Sequence, residues 1–73
     1  MWTAKEIELM IPRAGEFIGS VRYTFENRSF TEFSYFEYEG EYFQRVLSMD
    51  SEGSTLTESY SQVEWYEIPM QLM

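Results

Sequence analysis

The chain has 73 residues and a formal net charge of −8, and it contains no cysteine and no histidine. These absences exclude disulfides, zinc sites built from Cys and His, thiol nucleophiles and catalysis by imidazole. The length predicts a single domain, residues 1–73, near the lower size limit for folding without cross-links. Because 19% of the residues are aromatic, and disordered acidic chains are poor in aromatics, we expect the chain to fold.

The N-terminal segment alternates between apolar and polar side chains. Its apolar positions include Ile7, Leu9 and Ile11. This period of two predicts a half-buried first strand. A helix is the alternative, because Thr3 and Glu6 have the spacing of a capping box. We favour the strand, since Pro12 would limit such a helix to little more than two turns.

Two turn signals bound the second predicted strand. The first covers residues 13–16 and includes Gly15, and the second covers residues 26–29 and includes Asn27. On the strand between them, the alternation predicts one apolar face, made of Phe17, Val21, Tyr23 and Phe25.

Residues 30–38 and 42–49 are the third and fourth predicted strands, joined by a loop at Glu39 and Gly40. A two-residue loop at this position pairs the strands as a hairpin. The resulting register sets Phe36 opposite Phe43 on one face, and residue 33 opposite residue 46 on the other.

A further turn at residues 50–54 precedes a last predicted strand, residues 55–68, which Pro69 ends. The tail, residues 70–73, is apolar. Turns at such short spacing predict an all-β fold, a five-stranded antiparallel meander that forms a small barrel or a curved sheet. The alternative is an α+β fold with a short N-terminal helix.

The most unusual stretch is FSYFEYEGEYFQ, residues 33–44, in which half of the residues are aromatic. A strand would project Glu37 and Glu39 from one face about 6.6 Å apart, which spans roughly two phosphate steps of a nucleic-acid strand. A solvated hairpin tip that resists aggregation is the plainer interpretation. The predicted partner-binding residues are Glu37, Glu39, Glu41, Tyr35, Tyr38 and Tyr42.

The negative charge is concentrated in the last two-thirds of the chain. Residues 1–25 hold three acids and three bases, residues 26–45 hold five acids and two bases, and residues 46–73 hold five acids and no base. Such a distribution repels nucleic acid and anionic membranes and attracts basic surfaces. We therefore expect a protein partner with a basic surface, and neither direct nucleic-acid binding nor membrane binding.

Other functional classes receive little support from the sequence. Paired carboxylates catalyse only in a cleft that raises the pKa of one of them, and a domain this small has little volume for one, so we expect no enzyme activity. Residues 50–53 lack the ligand order of a calcium loop, and no motif predicts a metal or a cofactor. No secretory signal or membrane segment is visible, and with the lack of cysteine this favours the cytoplasm of a bacterial host.

Together these features predict a small acidic inhibitor that docks on a basic, nucleic-acid-binding surface of a partner protein. In size, charge and lack of cysteine the chain is similar to inhibitors that phages carry against host defence or replication proteins. One alternative is an assembly subunit that self-associates, as in a homodimer, through its aromatic strands and apolar tail. The other is a small sugar- or lipid-binding β domain.

Overall fold

The computed structural model describes residues 2–72. Its elements are one helix, α1 (Ala4–Ala14), four strands, β1 (Glu16–Thr24), β2 (Phe30–Tyr38), β3 (Glu41–Met49) and β4 (Thr55–Val63), and two short 3₁₀ helices, η1 (Trp65–Glu67) and η2 (Met70–Leu72). The strands form one antiparallel sheet in the order β1-β2-β3-β4. The fold is thus mainly β with an N-terminal helix, which is the α+β alternative; the prediction of five strands is wrong by one strand.

The sheet is an open meander. Each strand pairs with the next in the sequence, and β1 and β4 lie at the two edges without pairing with each other in the described part of the chain. The prediction of a small barrel is therefore wrong.

The N-terminal segment is a helix, so the prediction of a first strand is wrong. The backbone N–H of Glu6 donates to the Thr3 hydroxyl (3.2 Å), and the Thr3 N–H donates to the Glu6 carboxylate (2.9 Å). Both halves of the capping box are therefore formed. One turn apart on the helix, Ile7 and Ile11 are buried, whereas Leu9 is exposed. The apolar spacing fitted both a strand and a helix, and the cap favours the helix.

Pro12 lies inside α1, near its end. Its missing N–H removes one intrahelical hydrogen bond, yet the helix continues to Ala14 and closes with a bond of 2.9 Å from the Gly15 N–H to the Ile11 carbonyl. The turn predicted at residues 13–16 therefore begins inside the helix, and a proline two residues before the last one shortens the helix less than expected.

The predicted central hairpin is confirmed. Phe36 lies opposite Phe43, and Phe33 lies opposite Val46. The loop residues Glu39 (φ 51°) and Gly40 (φ 80°) both have left-handed backbone conformations, as the tight two-residue loops of hairpins require.

A β-bulge divides β1 between Phe17 and Gly19. Phe17 lies opposite Phe36, whereas Gly19 lies opposite Tyr35. The extra residue transfers Phe17 to the other face of the sheet from Val21 and Tyr23. The prediction of a single apolar face on this strand is wrong for that reason, and Phe25 falls beyond the strand.

We call the side of the sheet that α1 covers the helix face. Its core consists of Ile7, Ile11 and Phe43, all buried. Around them pack the half-buried side chains of Trp2, Met10, Phe36, Tyr38 and Tyr60. Burial of each large apolar side chain contributes about 1.5–3 kcal/mol, so α1 is fixed to the sheet by packing as well as by its cap.

The C-terminal segment reaches the other side, which we call the tail face. The predicted strand 55–68 ends at Val63, after which η1 and η2 follow. A Cβ at Gly19 would lie 2.8 Å from Leu72 Cδ2, so the end of the segment lies directly on β1 beside Tyr35. Ile68 is 4% exposed. Of the predicted apolar tail, Leu72 packs on the sheet and Met70 is exposed; the last residue, Met73, lies outside the described residues.

In residues 2–72 no helix combines the length and the apolar character needed to cross a lipid bilayer.

Candidate partner-binding surface

Carboxylates collect at one end of the sheet, where β2 turns into β3. The start of β1 lies there because Glu16 pairs with Glu37, and the end of β4 lies there because Tyr42 pairs with Val63. Glu64 and Glu67 follow β4 and line a cleft together with Glu41. We call this group the acidic end; its members are Glu16, Glu37, Glu39, Glu41, Glu64 and Glu67.

Glu16 and Glu37 face each other directly across β1 and β2. Side chains in such a pair have Cβ atoms about 4.5–5.5 Å apart, and like charges in this position are destabilising. The two carboxylates can turn apart into solvent, or they can share a cation that approaches from outside. This pair is therefore a place where a basic group would be stabilised.

The three glutamates predicted to bind a partner surround the hairpin instead of forming a row. Glu37 lies opposite Tyr42 on the tail face, whereas Glu41 lies opposite Tyr38 on the helix face. Glu39 lies in the turn. The expected alignment of Glu37 and Glu39 at about 6.6 Å along one face of a strand is therefore wrong, because the strand ends at Tyr38.

The three predicted tyrosines occupy different environments. Tyr35 is 4% exposed, and its hydroxyl oxygen accepts a hydrogen bond of 3.0 Å from Gln44 Nε2. Tyr38 is half-buried and meets the Trp2 ring edge-on, with centroids 6.0 Å apart. Tyr42 is half-buried beside Glu37. In the isolated chain, Tyr38 and Tyr42 remain partly accessible at the acidic end, and Tyr35 belongs to the interior.

A cleft of about 590 Å³ opens at the acidic end, lined by Trp2, Glu41, Gln62, Val63, Glu64 and Glu67. Two of its carboxylates are held by hydrogen bonds. Trp2 Nε1 donates to Glu41 Oε2 at 2.6 Å, and the Glu64 N–H donates to Glu67 Oε2 at 2.6 Å. The Glu41 and Glu67 carboxylates are thereby positioned before any partner binds.

The ion pairs among the described residues lie elsewhere. Arg22 pairs with Glu32 at 2.9 Å and Arg45 pairs with Glu58 at 2.7 Å. Across residues 2–72 these are the only ion pairs, so no carboxylate of the acidic end has a cationic partner there. The same residues hold no group of three or more ligand side chains placed to bind a metal ion. The negative charge of this end is therefore left for solvent or for a partner.

Sequence reasoning missed a second exposed surface, on the C-terminal segment. Trp65, Tyr66 and Met70 are 64%, 68% and 90% exposed. The sequence predicts Trp65 and Tyr66 in the last strand and Met70 in the tail. The adjacent pair Trp65 and Tyr66 is a signal that could have found them, because neighbouring side chains of a strand point to opposite faces and an edge strand seldom buries both.

Comparison with known proteins finds no relative: no protein family, no curated protein and no solved structure matches this chain.

Proposed function

We propose that this chain is a small acidic binding protein that docks on a basic, nucleic-acid-binding surface of a partner protein and thereby inhibits it. The observation that carries the proposal is the acidic end, in which six glutamates gather without a cationic partner among residues 2–72. A basic groove supplies the missing cations and is attracted from a distance by the net charge of −8.

The facing pair Glu16 and Glu37 supports this proposal. Their mutual repulsion weakens the free protein slightly and is removed when a lysine or arginine of the partner lies between them. Glu41 and Glu67 contribute carboxylates that are already held in place, so less conformational entropy is lost on binding. The acidic end would compete with nucleic acid for the same cations without copying the spacing of phosphates.

The half-buried rings of Tyr38 and Tyr42 lie beside these carboxylates. Charge mainly raises the association rate, whereas aromatic contacts slow dissociation. The proposal includes no catalytic step. It also includes no direct binding of nucleic acid or membrane, because nucleic acids and anionic membranes are repelled by the negative charge of the chain.

A charge-reversal pair tests the proposal. One variant carries Glu16→Lys, Glu37→Lys and Glu39→Lys at the acidic end, and leaves out Glu41 because its bond to Trp2 supports the fold. The control carries Glu8→Lys, Glu26→Lys and Glu52→Lys, all exposed; Glu8 lies on α1, and Glu26 and Glu52 lie in the turns at the opposite end of the sheet. Both have the same net charge, so a difference between them reports position.

Each protein is immobilised and exposed to a bacterial lysate at about 0.05 M and about 0.5 M salt, concentrations between which the screening length falls to a few ångströms. A protein retained by wild type and control at low salt is purified, and its nucleic-acid binding is measured with and without the chain. We expect inhibition by the wild type and the control and none by the acidic-end variant. Equal inhibition by both variants, or a partner that binds chain and nucleic acid together, would contradict the proposal.

Self-association is a second candidate, favoured by the exposed edge strand β4. Its nine residues contain neither proline nor lysine, two devices that commonly protect sheet edges. A second copy pairing with β4 would extend the sheet antiparallel across a two-fold axis. Sedimentation velocity of the wild type and of a Ser59→Pro variant tests this, because proline at the middle of β4 blocks edge pairing; a monomer at all concentrations contradicts it.

A further inference from the structure

The exposed apolar side chains of the C-terminal segment form a second cleft. Trp65, Tyr66 and Met70 line it together with Ile68, and its volume is about 430 Å³. This lies within the range of about 300–1,000 Å³ found for sites that take small ligands. Trp, Tyr and Met are the residue types enriched in protein interfaces, and Trp and Tyr are frequent among those that dominate binding energy.

Hydrogen bonds hold the backbone of η1, and the two aromatic rings pack on each other. The Glu64 N–H donates to Glu67 Oε2 at 2.6 Å. The Glu67 N–H donates to the Glu64 carbonyl at 2.9 Å, and the Ile68 N–H donates to the Trp65 carbonyl at 3.2 Å. The rings of Trp65 and Tyr66 pack edge-on, with centroids 5.9 Å apart. The η1 backbone and the two rings are thus preorganised, which lowers the conformational entropy lost on binding.

The side chains that line the cleft differ in exposure. Ile68 is buried, while the two rings and the Met70 side chain remain exposed. At the end of the segment, Leu72 packs over Gly19. The fold therefore fixes the inner part of the segment and leaves the outer part available.

The negative charge near the cleft indicates which kind of partner binds there. Glu64 and Glu67 flank the aromatic pair in the sequence and line the cleft of the acidic end, and residues 46–73 contain five acids and no base. A second copy would set the same carboxylates against themselves, and anionic membranes and nucleic acids are repelled for the same reason. A basic protein segment is attracted.

We propose that a basic protein segment inserts an apolar side chain between Trp65, Tyr66 and Met70 while its lysine or arginine residues contact Glu64 and Glu67. This inference rests on the proposed function, because both require a basic partner, and it adds a second apolar contact to that of the half-buried Tyr38 and Tyr42 rings. Specificity then comes from the combination of one apolar residue with flanking cations.

Two capped hexapeptides test the inference by NMR titration of the ¹⁵N-labelled chain. The first has two leucines between two pairs of lysines, and the second has serines in place of the leucines. We expect the leucine peptide to bind about tenfold more tightly, equivalent to about 1.4 kcal/mol, and to shift the Trp65 indole signal. The Trp65→Ala variant should bind both peptides equally, whereas Phe17→Ala, which removes another exposed ring, should keep the difference.

Equal affinity of the two peptides for the wild type overturns the inference, as does a leucine-dependent shift that maps away from residues 64–70. The proposed function would survive either result if both peptides still bind in a salt-dependent way and shift the amides of Glu37 and Glu39. A third peptide with glutamines in place of the lysines checks the charge requirement. If this uncharged peptide binds as tightly as the first peptide, which contains both leucines and lysines, the role of Glu64 and Glu67 is refuted.

Discussion

Trp2 Nε1 donates a hydrogen bond of 2.6 Å to Glu41 Oε2, although the two residues are 39 positions apart in the sequence. The same indole meets the rings of Tyr38 and Phe43 edge-on, with centroids 6.0 and 6.2 Å away. One side chain thus ties the start of α1 to the β2–β3 hairpin and holds a carboxylate of the acidic end.

Removing this donor should weaken the fold modestly. Trp2→Phe keeps an aromatic ring but cannot donate to Glu41, and because the bond is exposed we expect a loss of about 0.5–1.5 kcal/mol in the free energy of unfolding. Trp65→Phe is the matched control and should change it by less than about 0.5 kcal/mol, since Trp65 is on the surface. Urea denaturation followed by circular dichroism measures both; equal losses would refute the structural role of Trp2.

The C-terminal segment should contribute to stability through Ile68. Ile68→Ala removes a buried side chain and should cost about 2–5 kcal/mol, whereas Met70→Ala, two residues later on the surface, should cost less than about 0.5 kcal/mol. The unfolding midpoint in urea compares them. A negligible effect of Ile68→Ala would mean that the segment does not pack on the sheet.

Two glycines should respond differently to the same added methyl group. A Cβ at Gly15 would lie 2.8 Å from the Ile11 carbonyl oxygen, which is backbone and cannot move alone, whereas at Gly19 it would meet the end of the Leu72 side chain, also at 2.8 Å. We expect Gly15→Ala to cost about 1–3 kcal/mol and Gly19→Ala to cost less, because Leu72 can change its rotamer. Thermal unfolding of the pair gives the order; the reverse order contradicts the prediction.

The capping box should make helix stability depend on pH. Hydrogen bonds from the Thr3 backbone and then from its side chain hold the pKa of Glu6 below its ordinary value. A carboxyl whose pKa is lowered in the folded state adds stability above the pKa of the unfolded chain, and this stability is lost as the pH falls through the folded value.

The side-chain carboxyl carbon of Glu6, followed by NMR during acid titration, should therefore titrate below the range of an unperturbed glutamate. Thr3→Ala removes the smaller of the two hydrogen-bonding contributions. The titration midpoint of Glu6 in this variant should therefore lie between that of the wild type and that of an unperturbed glutamate. An ordinary midpoint for Glu6 in the wild type would show that the capping box is not formed in solution.

Local pattern was sufficient to predict the central hairpin and insufficient for its neighbours. The register of Phe36 with Phe43 follows from the alternation of side chains and a two-residue loop, both of which are local. The bulge at Phe17 has a weaker local signal, the isolated Gly19 within the strand. Near the N-terminus, the positions of Ile7 and Ile11 satisfy both periodicities, and only the packing of a helix against Phe43 together with the cap decides between them.

The candidate site was predicted in composition but not in arrangement. The sequence predicts the carboxylates of the hairpin, but as a single row on one face. Their distribution over two faces follows from the pairing of Tyr38 with Glu41. Glu16 and Glu64 join the acidic end only through strand pairing across the sheet, and no local pattern brings them together. Trp65 was missed because a run of apolar residues was extended past the true end of β4.

The meander also determines the order in which the protein is expected to fold. Its strands are joined by loops of two to five residues, so each hairpin closes at a small entropic cost and can form early. The contacts of Trp2 with Glu41 and of Leu72 with Gly19 span much longer loops and should form last. In stopped-flow refolding of a Trp65→Phe variant, the Trp2 fluorescence should therefore lag behind the circular dichroism of the sheet. The helix α1 thus covers the helix face late, and the C-terminal segment covers the tail face late. Until then the ring and hydroxyl of Tyr35 are exposed to water on a sheet that has already formed.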